Sequence, residues 1–514
     1  MVTEKLTSSD AVLLKRKGIT EKMLAKQISA FKTGFPPAAL TKAATIPNGG
    51  IISFSQADIK KYVRFYDGIS VLYDITKFVP ASGAATRMFK SLFAYRGELR
   101  TTTEYFAPTG EAKEFFEHLK EFPFYSELQK YLPAAKSAKT ASHLEILNAL
   151  LETKNGLGYG SLPKALLLFH FNGKKPVTAL EEHLVEGVQY AAGNGKCKIH
   201  FTVSPEHLPL FKKKIKEVLP YCEKKYKTKY KISYSIQSPA TDTVAVTLDN
   251  KIFRDEKEQI VFRPGGHGAL IENVNALDTD IVFIKNIDNI TTEKKCGTSV
   301  RYKKLIGGYL IAVKDTVHSF LADLNSKKFS QDDLVAIEAF AKSVSIDCPK
   351  EYEKYSFARK KTYWKNALNR PVRVCGMVKN EGEPGGGPFF VCDGGGTTSS
   401  RNLITLQIVE TPQIDLKDPK QKAILRQSTH FNPADLACWL KDYRGKKFDL
   451  TKFVNPQTAF ITEKSIKGKT IKAMELPGLW NGAMAKWITI FVETPVSVFT
   501  PVKTVVDLLK EPHR

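Results

Sequence analysis

The chain lacks any run of about 18 uninterrupted apolar residues, which argues against a membrane-spanning helix. Its start, Met1-Val2-Thr3-Glu4-Lys5-Leu6, has no apolar core of the kind a secretory signal needs. Cysteine is scarce and scattered: Cys197, Cys222, Cys296, Cys348, Cys375, Cys392 and Cys438, odd in number and with no Cys-x-x-Cys pair. That speaks against a disulfide framework or a zinc site, and the expected compartment is the reducing cytoplasm. No internal repeat is visible. No zinc-finger spacing or RNA-recognition aromatic signature occurs, so no specific nucleic-acid partner is expected. Acidic residues are also short, 53 against 77 lysines and arginines, for a net charge of +24. Such a field draws polyanions such as nucleic acid or anionic lipid, or phosphorylated small molecules, and equally fits a lysine-rich solvated surface. No Ser-His-Asp or Cys-His arrangement stands out.

What is present is a long chain, 514 residues, 42% of them hydrophobic, ample for a large core. Residues 1–75 read as an N-terminal helical segment. Met23, Leu24, Ile28 and Phe31 recur at helical spacing behind Thr20, an N-cap residue type. A second helix is expected from Gln56 to Leu72, then a strand at Ile75–Val79 and a helix over Thr86–Tyr95. Residues 96–155 are charged and amphipathic and read as a helical insertion. Thereafter strands (Ala165–Phe169, Lys198–Val203, Lys231–Ile236, Ile281–Asn286, Val372–Val378, Ile404–Val409) alternate with helices such as Val177–Ala191, Pro205–Leu219, Tyr302–Leu324 and Ser330–Ser343. This alternation predicts an α/β fold, a mixed but mostly parallel sheet with flanking helices. The core is expected over 76–345, with an α+β C-terminal region over 346–514 that ends in a helix at Pro501–Lys510.

Four stretches carry candidate chemistry. In Ala81-Ser82-Gly83-Ala84-Ala85-Thr86-Arg87-Met88, small residues let backbone N–H groups approach phosphate oxygens, and Arg87 offers a planar fork. The same residues suit any tight strand-to-helix turn on steric grounds. Lys164, behind Pro163 and before an apolar strand, offers a point charge, as does an ordinary surface lysine. Pro264-Gly265-Gly266-His267-Gly268 makes a loop that something approaches closely. The run Ile281–Ile284 leads into Asn286-Ile287-Asp288-Asn289, where an α/β enzyme places a Mg²⁺ ligand, and where an Asn/Asp turn also belongs. Gly394–Ser400 has the composition of a phosphate cradle, but no helix follows it. Asn432 reads as an N-cap rather than a metal ligand. Trp480 and Trp487 fit a core or a sugar-stacking role equally.

The order of these motifs resembles the sugar-nucleotide pyrophosphorylases, above all their UDP-sugar branch. The resemblance spans roughly residues 76–300. It runs on through Gly394–Glu410 to Phe499-Thr500-Pro501-Val502-Lys503. With Glu383–Phe389 and Gly478–Gly482, the whole chain looks most like an uncharacterised bacterial family related to them. The resemblance implies a nucleotide-diphospho-sugar transferase fold, of GT-A or Rossmann-like type. It implies transfer of a nucleotidyl group from a nucleoside triphosphate to a sugar 1-phosphate, with Mg²⁺ and with release of pyrophosphate. Ser82, Gly83, Ala84, Ala85 and Thr86 would hold phosphates. Arg87, Lys164 and Lys503 would act on the departing charge, and Asp288 would bind Mg²⁺. Gln237, Pro264, Gly265, Gly266 and His267 would line the base pocket, and Glu410 would hold sugar hydroxyls. Lys90 competes with Lys164 for the lysine role; Pro163 and the Lys-Pro and Glu-His elements behind it favour Lys164. The family usually has glycine where Ala85 stands, and a methyl there would crowd a phosphate. Ala85 thus supports a second reading, a nucleotide-binding protein without catalysis. A third, a basic nucleic-acid binder, rests on charge alone.

Overall fold

The computed structural model of the protein describes residues 6–101, 107–132, 141–193, 195–383, 385–393, 403–466 and 468–514. The glycine-rich stretch Gly394–Ser400 and parts of the 96–155 segment lie outside them. The fold is mixed α/β. It has two compact units, Met1–Tyr62, Gln237–Val282 and Ile306–Thr494 in the first, and Val63–Ile236, Phe283–Leu305 and Pro495–Arg514 in the second. Each unit is closed by segments far apart in sequence.

In the first unit, strand Val372–Lys379 is central. It pairs in parallel with Ile488–Glu493 and antiparallel with Leu436–Trp439, and Ile51–Ile52 adds in parallel beyond Ile488–Glu493. Seven of its eight residues are buried, the near-continuous pattern of a strand covered on both faces. Leu40–Ala43, Gly387–Asp393 and Leu403–Val409 form a separate antiparallel sheet. The N-terminal helices belong here. Glu21–Thr33 starts at Thr20, whose hydroxyl accepts the Met23 N–H, and buries Leu24, Ile28 and Phe31. Ser8–Lys17 starts on a capping box of Thr7 and Asp10. Asp10 also accepts both Arg254 amino groups, at 3.0 and 2.8 Å, which hold its carboxyl down at about 2.

In the second unit, Ile75–Pro80, Lys196–Thr202 and Lys229–Ser235 form a parallel sheet. Helix Ala179–Val188, capped by a Thr178–Glu181 box, is buried almost throughout. Phe89, Phe115, Phe124, Phe169, Phe201 and Val505 share one core. That core draws on the segment 85–165 and on residues beyond 500, so the helical insertion is packed in rather than appended.

Three local expectations are corrected. The chain after the loop makes a 3-10 turn at Ala85–Arg87, and its α-helix begins only at Lys90. No α-helix forms over 501–510; Val505–Leu509 is a 3-10 turn, held by Asp507, whose carboxylate accepts the Lys503 and Thr504 N–H groups. Asn432 caps no helix. Its side chain donates to the Gly376 carbonyl and accepts the Ala434 N–H, an Asx-type turn before strand Leu436–Trp439.

Candidate functional site

Strand Ile75–Pro80 delivers the chain into the loop at Ser82. The N–H groups of Ser82, Gly83 and Ala84 make no hydrogen bond to another described residue, and Gly83 and Ala84 are exposed. Ala85 differs. Its N–H donates to the Leu162 carbonyl at 3.0 Å, and the residue is fully buried in the core with negative φ. Its methyl therefore points away from the loop and does not crowd it. Gly83 has negative φ and open space where a Cβ would stand. Thr86 and Arg87 are exposed, and Arg87 has no ion pair among the described residues.

The Leu162 bond and a bridge between Ala84 and Pro163 lay Lys164 alongside the loop. Lys164 Nζ donates to Asp288 Oδ2 at 2.7 Å and to the Val502 carbonyl at 2.7 Å. Val502 N–H returns a bond to the Asp288 carbonyl at 2.9 Å, and Val505 N–H reaches Met88 just past the loop. Four segments distant in sequence thus meet in one unit. Lys90 stands exposed at the start of its helix, without a partner among the described residues. Lys503 is exposed, its Nζ 5.4 Å from the Phe499 ring centroid.

Beneath Asp288 lies a cluster that sequence reading missed. Lys77, Lys285, Lys303, Glu186 and His183 are all buried. Lys77 Nζ donates to Glu186 at 2.7 Å and to the His183 carbonyl at 3.0 Å; Lys285 grips the other Glu186 oxygen. Burial alone would raise the Glu186 carboxyl, but Lys285 and Lys77 hold it well below its ordinary value. Burial pulls Lys77 down to about 8. Lys303 Nζ donates to the Ile284 carbonyl, and His183 Nε2 to the Ile287 carbonyl at 3.0 Å. The backbone leading into Asp288 is therefore pinned on both sides. The available signal was a lysine inside each apolar strand run, at Lys77 and Lys285.

The other candidates lie in the first unit. Gly265 and Gly266 are required by geometry: a Cβ on Gly265 would stand 2.5 Å from the Thr241 carbonyl oxygen, and Gly266 has φ +75°. Pro264 is exposed. Gln237 Nε2 lies 3.4 Å from Thr241 Oγ1, which ties it to the same corner. His267 stacks on Trp480, centroids 4.3 Å apart. The Leu479 N–H donates to His267 Nδ1 at 3.0 Å, which leaves the imidazole proton on Nε2, 3.6 Å from Glu410 Oε1. Asn481 Nδ2 donates to Glu410 at 2.6 Å. The facing His267, then Asn481, hold the Glu410 carboxyl below its ordinary value against the effect of burial. Trp480 and Asn481 were not assigned to this site from sequence. Trp487 is a core residue.

Among the described residues, no three His, Cys, Asp or Glu side chains gather as a metal site. Mg²⁺ usually keeps water and takes one or two carboxylates plus substrate phosphates, and Asp288 fits that use. No helix among them is long and apolar enough to cross a membrane.

The family model described as "Domain of unknown function (DUF4301)" matches residues 7–514. No curated protein matches the chain. Solved structures to which it is similar include a mutant UDP-glucose pyrophosphorylase from Leishmania major, at 12% identity and TM-score 0.46 over 98% of this chain and 79% of that one. Another is the uridine diphosphate N-acetylglucosamine pyrophosphorylase from Trypanosoma brucei in complex with inhibitor, with the same identity, coverage and score.

Proposed function

The chain belongs to the DUF4301 family, and we propose that it is a sugar-phosphate nucleotidyltransferase. The observation that carries this reading is the meeting, in one unit, of an open loop with three N–H groups that find no acceptor among the described residues, Lys164, Asp288 and the Val502–Lys503 strap. The motif order in the sequence supports it independently.

In this reading the anionic oxygen of a sugar 1-phosphate attacks the α-phosphorus of a nucleoside triphosphate. The α–β bridging bond breaks, and pyrophosphate leaves with the electron pair. A phosphate monoester is already mostly ionised near neutrality, so no general base is needed. The work is positioning and charge neutralisation. The Ser82–Ala84 N–H groups donate to phosphate oxygens, and Arg87, without an ion pair among the described residues, answers charge on the departing pyrophosphate. Mg²⁺, held through Asp288, would neutralise charge shared between phosphates. Lys164 then exchanges Asp288 for a phosphate oxygen and keeps its bond to Val502. Lys503 supplies further positive charge. Glu410, flanked by His267 and Asn481, accepts sugar hydroxyls, while Gln237 and Pro264–Gly266 serve the base. The reading without catalysis loses its main support, because the Ala85 methyl faces the core.

The test is pyrophosphate release from each nucleoside triphosphate with Mg²⁺ and a panel of sugar 1-phosphates. A single productive pair is expected. Silence across the whole panel, with a selective thermal shift from one nucleotide, would replace the transferase by a nucleotide-binding protein.

A further inference from the structure

The first unit holds two arginines for which the described residues offer no acid, one fully buried and one, Arg370, partly exposed. Arg373, on the central strand, is fully buried. Its Nε donates to Thr489 Oγ1 at 2.9 Å and one amino group to the Trp480 carbonyl at 2.6 Å, while Nη2 has no partner among the described residues. Arg370 Nε donates to the Ala367 carbonyl at 2.6 Å, and Nη1 lies 3.5 Å from the Lys486 carbonyl. Neither makes an ion pair among the described residues. Burial lowers both, Arg370 to about 10. An interior cation without a counter-charge is costly, and native proteins answer it with a carboxylate or a bound anion.

Against Arg370 lies a cavity of about 300 Å³, lined also by Asn366, Tyr363, Thr405, Trp487 and Thr489 among others. Thr489 is the register partner of Arg373, so the two side chains leave the same face of the sheet. Trp487 is buried, and its indole N–H has no acceptor among the described residues. The carboxylate on the wall, Asp347, is exposed and pairs with neither arginine. The space is sized for a small organic acid or a phosphate ester.

We infer that this cavity is a binding site for a small anion, a carboxylate- or phosphate-bearing metabolite, clasped by Arg370 with Trp487 and balanced electrostatically by Arg373. The inference is independent of the transferase chemistry. Arg373 also holds the Trp480 carbonyl, and Trp480 stacks on His267. Occupancy therefore bears on the His267–Glu410 cluster, and the site suits an effector.

The experiment is calorimetric titration of the full chain with inorganic phosphate and, separately, with malonate. Saturable binding of at least one is expected, weakened tenfold or more in Arg370→Gln and several-fold in Trp487→Phe, with circular dichroism unchanged. The double variant Arg87→Ala, Lys164→Ala should bind as the wild type does, which separates this site from the phosphate loop. Phosphate alone or malonate alone would each support the site and name its ligand class. Absence of saturable binding by both anions, or wild-type affinity in Arg370→Gln, overturns it.

Discussion

Lys164 and Asp288, 124 positions apart, form a 2.7 Å ion pair whose lysine also holds the Val502 carbonyl. Both side chains are mostly shielded from solvent, 13% and 25% exposed, yet neither belongs to the hydrophobic core. In the proposed reaction this pair serves chemistry before stability. Asp288→Asn and Lys164→Met should each lower turnover by roughly 10²-fold or more, the scale of losing one preorganised electrostatic group. Pyrophosphate release measures this, and turnover within twofold of wild type in both would remove them from the mechanism.

Arg87 is exposed and has no ion pair among the described residues. Arg87→Ala should shift stability by no more than about 0.5 kcal/mol, as surface substitutions do, while turnover falls. Urea unfolding beside the activity assay separates the two effects. A large loss of stability would assign Arg87 a structural role.

Ala85→Gly tests whether the loop methyl hinders a phosphate. Because the methyl is buried and φ is negative, the change should cost about 1 kcal/mol and leave turnover no higher. A more active glycine variant would show that the loop is hindered after all.

Glu186 answers two buried lysines. Glu186→Ala leaves both unpaired and should destabilise the second unit by about 3–5 kcal/mol. The readout is the unfolding midpoint followed by circular dichroism; a shift under about 1 kcal/mol would mean that water reaches the cluster.

Glu182 stands beside His170, 3.0 Å from its Nδ1, and His170 Nε2 meets His513 Nδ1 at 2.8 Å. Burial raises Glu182 to about 8, with Glu293, Glu181 and Glu186 adding to it and Lys225 opposing. Burial also lowers His170 and His513 to about 3. As pH rises from about 4.5 to 8, the unfolded chain loses the Glu182 proton while the folded one keeps it, so stability falls. As pH drops from 6.5 toward 3, the unfolded histidines gain protons that the folded ones refuse, and stability falls again. In Glu182→Gln the first loss should vanish, so its stability relative to wild type should climb by more than about 1 kcal/mol between pH 5 and 8. Parallel pH profiles for the two proteins would place the Glu182 proton elsewhere.

Much of the local structure was legible. Thr20 marked its helix, Ile75–Val79 its strand, and the Asn-x-Asp-Asn run the turn after Ile281–Ile284, since capping, alternation and turn chemistry are short-range. The Lys164–Asp288 meeting was approached only through motif order. Buried lysines at 77, 285 and 303 were not legible, because a lysine reads as surface until its partner on another segment is known. The Ala85 methyl was misjudged because its direction depends on Leu162. Trp480 and Asn481 joined His267 and Glu410 through pairings across 70 residues or more, which no periodicity encodes.

The strap that reaches Lys164 through Val502 has a consequence during synthesis. Residues 63–236 are made early, but their unit takes Val502, Val505 and Leu508 into its core. On the ribosome that unit must wait, partly open, while the more than 180 residues of the intervening segment Ile306–Thr494 emerge. Closure over such a separation carries a loop-entropy cost that local helices escape. The nascent chain therefore exposes apolar surface until its last stretch arrives, and chaperone dependence should be strongest for chains halted between 306 and 494.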